Sequence, residues 1–298
     1  DNGISPNVVT FVYILKACCS FRAIDKGIEI HAEIGRIGLM AKNVVVGNAL
    51  IDFYAKFGFV TKAQEVFDDL SNRDIVSWTT LIAGYTNQNS GMKALYSFGQ
   101  MLNEGIPPNA VTFVCCLNAC THIGSSTEGK RIHAQIAKLE MIRDNIVIGN
   151  ALVDMYAKCG LLANAQEAFD ELCIQDVVSW TSMLSACIEQ NEGEKGLHYY
   201  MKMLGEGVNP DELTFVATFQ ACSILVDKQQ RYGQSSKEIS LEIAKALKID
   251  FDKQGFSFDN IMANTLINVY GKCRAVVEAE ELFAGIACPD VVTWSVMF

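Results

Sequence analysis

Internal repetition constrains this chain more than any other feature. The stretch Asp74-Ile-Val-Ser-Trp78-Thr returns as Asp176-Val-Val-Ser-Trp180-Thr and as Asp290-Val-Val-Thr-Trp294-Ser, with tryptophans 102 and then 114 residues apart. Asn48-Ala-Leu-Ile-Asp-Phe-Tyr54-Ala-Lys keeps the same beat with Asn150-Ala-Leu-Val-Asp-Met-Tyr156-Ala-Lys and Asn264-Thr-Leu-Ile-Asn-Val-Tyr270-Gly-Lys. A third set is Thr10-Phe-Val, Thr112-Phe-Val and Thr214-Phe-Val, each with Ala-Cys seven residues after the threonine. Self-similarity at a fixed period marks an array of small units, each burying its apolar face by stacking on the next.

Phasing on these motifs divides the chain into repeats 8–43, 44–74, 75–109, 110–145, 146–176, 177–211, 212–259 and 260–290, with a partial repeat at 1–7 and another at 291–298. A long, a short and a standard repeat (36, 31 and 35 residues) recur in that order, and only repeat 212–259 departs, by 12 extra residues. Thr214 and Ala221-Cys222 keep the 102-residue spacing while Tyr270 does not, so the insertion falls between Ser223 and Asp259. It holds Asp227-Lys-Gln-Gln-Arg231 and a lengthened helix with Ile239, Ile243 and Leu247 at i, i+4 and i+8. Residues 1–7 resemble 103–109 and 205–211, which close a repeat, so the chain is expected to be cut from a longer array.

Each repeat reads as two helices. The first carries the Trp, Tyr or Phe-Val motif. The second shows apolar residues at i, i+3, i+4 and i+7: Ala63, Val66, Phe67 and Leu70; then Ala165, Ala168, Phe169 and Leu172; then Ala279, Leu282, Phe283 and Ile286. Only five prolines occur in the chain, which favours helix. The predicted class is all-α, an α-solenoid of stacked helix-turn-helix repeats with a concave inner surface. Gly58 and Gly160 are expected to cap first helices at their C-termini, whereas Arg274 holds that place in the third copy, so its cap is expected to differ.

Composition limits the function. No stretch approaches the ~20 apolar residues that span a bilayer. The eleven cysteines form no C-x-x-C pair and sit mostly at repeated helix positions (Cys18, Cys120 and Cys222; Cys159 and Cys273), as small buried hydrophobes of a reducing compartment do. The net charge of −10 opposes phosphate binding unless positive charge is local to one groove. Lys56, Lys158 and Lys272, each thirteenth in a short repeat, could supply it by contacting phosphates, or could be solvated partners of the helix dipole.

The 36/31/35 triad with V-V-S-W-T, G-N-A-L-I-D-x-Y-A-K-x-G and V-T-F-V-x-x-L-x-A-C strongly resembles the pentatricopeptide repeat (PPR) family, PLS class, over about residues 1–222 and 259–298. The resemblance implies a right-handed superhelix that binds single-stranded RNA with about one base per repeat, read by two or three side chains. In the family the fifth and last residues of a repeat read the base, and a branched apolar second residue clamps it.

Carried over, Asn48 with Asp74 favours U, Thr79 with Asn109 favours A, Asn150 with Asp176 favours U, Thr181 with Asp211 favours G, and Asn264 with Asp290 favours U. Ser295 in the cut repeat suggests a purine. The clamps are Val45, Val76, Val147, Val178, Ile261 and Val292. The long repeats put Val12, Val114 and Val216 at the fifth position; valine has no side-chain hydrogen-bonding atom, so these are assigned no base. The expected site is 5′-n-U-A-n-U-G-n-U-R-3′. Asp and Asn at the repeat ends also precede helix starts and suit N-caps worth ~1 kcal/mol; the two roles are compatible. Asn48, Asn150 and Asn264 lie inside helices, where Asn is a poor choice, which favours the reading role.

Members of this class often end in a zinc-dependent deaminase that edits C to U, so His31-Ala-Glu33 draws attention as half of an H-x-E…P-C-x-x-C signature. The other half is missing, and the counterpart His133 is followed by Ala-Gln, so the motif is a repeat position. His122 and His198 are solitary. No P-loop, dinucleotide motif or catalytic triad is found. The expectation is a non-enzymatic, monomeric RNA-recognition module without metal or cofactor. It would belong to an RNA-editing or RNA-processing factor of a mitochondrion or chloroplast and act with single-stranded RNA and editing or processing partner proteins. The rival is a protein-binding helical scaffold, which the acidic charge supports.

Overall fold

The computed structural model describes residues 6–40, 43–229, 235–286 and 288–297. All regular structure among them is helical. The chain forms two compact units, Asp1–Met141 and Ile142–Phe298.

The first unit holds four helical hairpins: α1 (Val8–Ser20) with α2 (Ile24–Arg36), α3 (Val44–Lys56) with α4 (Val60–Asp68), α5 (Ile75–Asn87) with α6 (Gly91–Asn103), and α7 (Ala110–Ile123) with α8 (Ser126–Lys138). A one-turn helix, α9 (Met141–Asp144), follows. The second unit pairs α10 (Ile146–Lys158) with α11 (Leu162–Asp170), α12 (Val177–Glu189) with α13 (Gly193–Gly205), α14 (Glu212–Gln229) with α15 (Ser235–Gln254), and α16 (Asn260–Cys273) with α17 (Val276–Ala284), and ends on α18 (Val291–Met297). In each unit the first helices pack side by side, α1 on α3 on α5 on α7, and α10 on α12 on α14 on α16 on α18. Second helices pack on the first helix of their own hairpin and commonly on the next one. This is solenoid packing, in which each hairpin packs chiefly on its neighbours among the described residues.

The apolar spacing explains the layering. Ala63, Val66, Phe67 and Leu70 are buried, as are Ala165, Ala168, Phe169 and Leu172. Each repeated tryptophan meets the phenylalanine of the preceding second helix edge to face, with ring centroids 4.6 Å apart for Phe67–Trp78 and 4.8 Å for Phe169–Trp180 and Phe283–Trp294. The two helix types start differently. First helices begin after an Asn or Asp whose carbonyl or carboxylate oxygen accepts backbone N–H bonds, as at Asn7, Asn43, Asp74, Asn109, Asn145, Asp176 and Asp259. Second helices α2, α4, α6, α11, α13 and α17 have no side-chain cap.

Three sequence expectations need correction. Arg274 does not change the helix end: it takes φ +63°, the same left-handed turn that Gly58 and Gly160 take at φ +82° and +75°. Only the strain of a side chain in that region distinguishes it. The 12 extra residues do not lengthen one helix alone, because α14 has 18 residues and α15 has 20 where α12 and α13 have 13 each. Ile239 does not join the packed face that Leu247 occupies; it is largely exposed. Arg231, in the same insertion, lies outside the described residues. No helix among the described residues is long and apolar enough to cross a membrane.

Candidate nucleic-acid interface

The residues expected to read bases occur in hydrogen-bonded groups at the starts of first helices. Asn48 is buried within α3, and its Nδ2 donates to Oδ1 of Asp74, the N-cap of α5, at 3.1 Å. That bond gives an otherwise awkward mid-helix Asn a partner. Asn150 Nδ2 donates likewise to Asp176 Oδ1 at 3.4 Å, and Asn264 is hydrogen-bonded to Asp290. Thr79 and Asn109 do not touch directly. They are joined through Thr112, whose Oγ1 lies 2.7 Å from Thr79 Oγ1 and donates to Asn109 Oδ1 at 2.9 Å. Thr181 and Asp211 are joined in the same way through Thr214, at 2.8 and 2.7 Å. Ser295 stands apart, donating to the Val291 carbonyl of its own helix at 2.7 Å.

The cap bonds are one-sided. In Asp74, Asp176, Asp211 and Asp290 the bonds from the residue three further on all fall on Oδ1: from Ser77 N at 2.8 Å, Ser179 N at 2.9 Å, Thr214 N at 2.8 Å and Thr293 N at 2.7 Å. A carboxylate has a second acceptor oxygen, which these bonds do not use. Burial opposes ionisation of Asp74, but the Ser77 N–H and hydroxyl and the Asn48 amide donate to it and hold its pKa below the ordinary value. For Asp290 the Thr293 N–H, then its hydroxyl, lower the pKa. Asp74 and Asp290 are therefore acceptors at neutral pH. Among the described residues, Asn48 Oδ1 and Asn264 Oδ1 are buried without a hydrogen-bond partner, whereas Asn150 Oδ1 lies 2.6 Å from the Ser179 hydroxyl.

The expected clamps are apolar yet exposed, from 51% for Val76 and Val178 to 64% for Ile261, with Val45, Val147 and Val292 between. The same second position in the long repeats is exposed too, at Val9, Val111 and Leu213. Sequence reasoning left those three out because their repeats were assigned no base. All of these residues sit at the second position of first helices that pack side by side within each unit. Exposed aliphatics recurring at one register are less common than singly scattered ones.

The lysines are paired. Lys56 Nζ is 2.7 Å from Asp52 and Lys158 Nζ 2.9 Å from Asp154, while Lys272 pairs with Asp227 of the lengthened α14. Such exposed pairs are worth ~0–1 kcal/mol. His31 Nδ1 lies 2.7 Å from the Tyr54 hydroxyl, and burial pushes its pKa down. Among the described residues, no three His, Cys, Asp or Glu side chains are placed to hold a metal.

The residues that sequence reasoning missed are the third-position hydroxyls Ser77, Thr112, Ser179, Thr214 and Thr293, all fully buried. Their signal was present as the recurring Val-Ser-Trp and Thr-Phe-Val motifs. The PPR repeat family model matches residues 73–122 and 175–223, and the related PPR repeat model matches 48–75, 150–175 and 261–285. This chain belongs to the PPR repeat family. A chloroplastic pentatricopeptide repeat-containing protein of Arabidopsis thaliana is 33% identical over 98% of this chain and 45% of its own length. Another Arabidopsis thaliana member is 34% identical over 99% of this chain and 33% of its own length. The PPR chain thus spans between a third and half of these relatives. Among solved structures, PPR10 in complex with an 18-nt psaJ RNA element superposes with a TM-score of 0.69 at 19% identity, covering 99% of this chain and 48% of that one. At that identity the likeness establishes the PPR solenoid fold.

Proposed function

We propose that this PPR array binds single-stranded RNA in a sequence-specific manner, about one base per repeat, with the preference 5′-n-U-A-n-U-G-n-U-R-3′. One observation carries the reading: five pairs of polar residues are joined by hydrogen bonds, directly or through one hydroxyl, in repeats whose second residues are exposed aliphatics. Asn, Asp and Thr present donors and acceptors to a base edge, and the aliphatics sandwich its face. Uracil offers N3–H between two carbonyls; Asp Oδ2 accepts the former and an Asn N–H donates to a carbonyl. Adenine offers N6–H2 beside the acceptor N1, which suits Thr79 and the Asn109 amide.

On this reading the chain is the recognition module of a PLS-class RNA-editing or RNA-processing factor in a plant organelle. The chloroplastic name of one relative supports the organelle and leaves the mitochondrion open. Any deaminase would lie in parts of the full protein outside this sequence. The chain is expected to act as a monomer on RNA. A gel shift with the predicted RNA against a scrambled one is the direct test; binding of both alike, or of neither, rejects the reading. The net charge of −10 favours the second reading, a protein-binding scaffold, and the latter outcome would support it.

We assign Lys56, Lys158 and Lys272 to phosphates. Phosphates can replace their weak carboxylate partners at little cost. Changing all three to Ala should weaken binding to every RNA alike and reduce the magnitude of the log K against log salt slope by about 2, since each single-strand phosphate contact contributes about 0.7. An unchanged slope rejects the assignment.

A further inference from the structure

First helices leave through a residue with positive φ. At most of these exits it is Gly or Asn, the residues that take the left-handed region at least cost: Gly58, Gly124 and Gly160, then Asn89 and Asn191. Two exits carry arginine instead, Arg22 at φ +53° and Arg274 at φ +63°. The turn does not need the guanidinium. The residue that follows donates its N–H to the carbonyl five residues back at 2.9 Å in each case, from Ala23 to Cys18, from Phe59 to Tyr54 and from Ala275 to Tyr270. Arginine therefore adds strain that glycine would avoid, and the turn gains nothing from it. Both arginines are exposed, and neither is ion-paired among the described residues. A strained residue that the fold does not require points to a use. Their place in the repeat is the same, the fifteenth. Arg274 lies two residues beyond Lys272, and Arg22 two beyond Ser20, which holds the thirteenth position that Lys56 holds in the next repeat. Lys56 is also near in space: burial raises the pKa of Cys19, in the last turn of α1, and the Lys56 ammonium lowers it.

We propose that Arg22 and Arg274 bind phosphodiester groups of single-stranded RNA, each holding the strand at its own repeat whatever the base. The proposal rests on the RNA-reading function above and adds a contact of another kind to it. A guanidinium meets a phosphate with two parallel N–H donors, a fit that an ammonium lacks. The fifth position, where a base is read, and the fifteenth are ten residues apart, about 15 Å along a helix axis. The sugar and phosphate of a nucleotide held by its base, together with an outstretched arginine, close that gap. Arg22 belongs to repeat 8–43, which is assigned no base and has no lysine at the thirteenth position. A phosphate contact there keeps the strand in register across an unread nucleotide. Arg274 follows Lys272, whose charge Asp227 already engages, and supplies a cation that no carboxylate holds among the described residues. The helix dipole does not account for the choice. It favours a cation anywhere in the last turn, and Lys56 and Lys158 take that place without left-handed strain.

The test is Arg22→Gln with Arg274→Gln, which keeps both side chains long and removes both charges. Binding is measured against salt for the RNA assigned above and for a scrambled one. The magnitude of the log K against log salt slope should fall by about 1.4, at about 0.7 for each lost contact, with the ratio between the two RNAs unmoved. Arg22→Lys with Arg274→Lys should keep the slope. The converse variant is Gly124→Arg, at the counterpart of Arg22 in repeat 110–145, where an added Cβ meets nothing within 4 Å. It should steepen the slope by about 0.7. A second arm needs no RNA. Arg22→Gly with Arg274→Gly relieves two left-handed side chains, so it should raise the melting temperature by roughly 3 °C while weakening RNA binding as the glutamine pair does. A fall in melting temperature means that the arginines serve the fold, and overturns the proposal. So does an unmoved slope in both the glutamine pair and Gly124→Arg when the parent chain binds RNA; the RNA reading then survives. A parent that binds both RNAs alike loses the base reading, and the slopes still decide the phosphate contacts. A parent that binds neither RNA sinks both.

Discussion

Thr79→Asn combined with Asn109→Asp should turn the repeat 75–109 from preferring A to preferring U. The double variant reproduces at one hairpin what Asn48 with Asp74 and Asn150 with Asp176 already form at two others. The site can hold the change. Asn48 is buried at the same register to the same degree as Thr79, at 8% and 9% exposed, so an amide fits where the hydroxyl stands. The introduced aspartate would still cap α7, since Asp and Asn are equal in that role. Each good base contact discriminates by about 1–3 kcal/mol, so the A-to-U ratio should swing through both ranges. Competition binding with four RNAs differing at this base reads the swing. An unaltered preference for A means that the repeat phasing or the family rule fails here.

Trp180→Ala should lower stability by about 3–5 kcal/mol in urea or thermal unfolding, the usual cost of removing a fully buried aromatic side chain. Trp180 has no exposed surface. It stands edge-on to Phe169 of α11 and 6.3 Å from Tyr199 of α13, so one side chain ties three helices of the second unit together. The milder Trp→Phe change separates shape from polarity. Trp180 Nε1 is buried with no hydrogen-bond partner among the described residues, whereas Trp78 Nε1 donates to Glu104 at 3.3 Å. Trp180→Phe should therefore cost less than Trp78→Phe. The reverse order would mean that the unpartnered indole N–H is not what distinguishes the two sites.

Much of the fold was legible because the repetition was. Copies of one motif in register place helix starts without any knowledge of tertiary contacts, and the spacing of Ala63, Val66, Phe67 and Leu70 states which face is covered. The candidate site was half legible. Asn48, Asn150 and Asn264 stood out as poor helix residues, and the Asp and Asn caps stood out by position. What could not be read was the bond between them. Thr79 and Thr112 are 33 residues apart and belong to different repeats, and only the stacking of α5 on α7 brings their hydroxyls together. The lengthening of α14 was hidden for a related reason: an insertion in sequence does not say how its residues divide between two helices. Arg274 was misjudged because the turn is set by the hairpin, and the hairpin imposes it whichever residue is there.

The one-sided use of the cap carboxylates has a consequence for how such arrays change over generations. A residue that must start a helix with one oxygen while offering the rest of its side chain to a ligand can be drawn from only a few amino acids. On the proposed reading, exchange between Asp and Asn would alter the preferred base at almost no cost in folding, whereas exchange to Ala or Val would also forfeit about 1 kcal/mol of anchorage. If these residues read bases as proposed, drift between targets should run along the Asp–Asn axis.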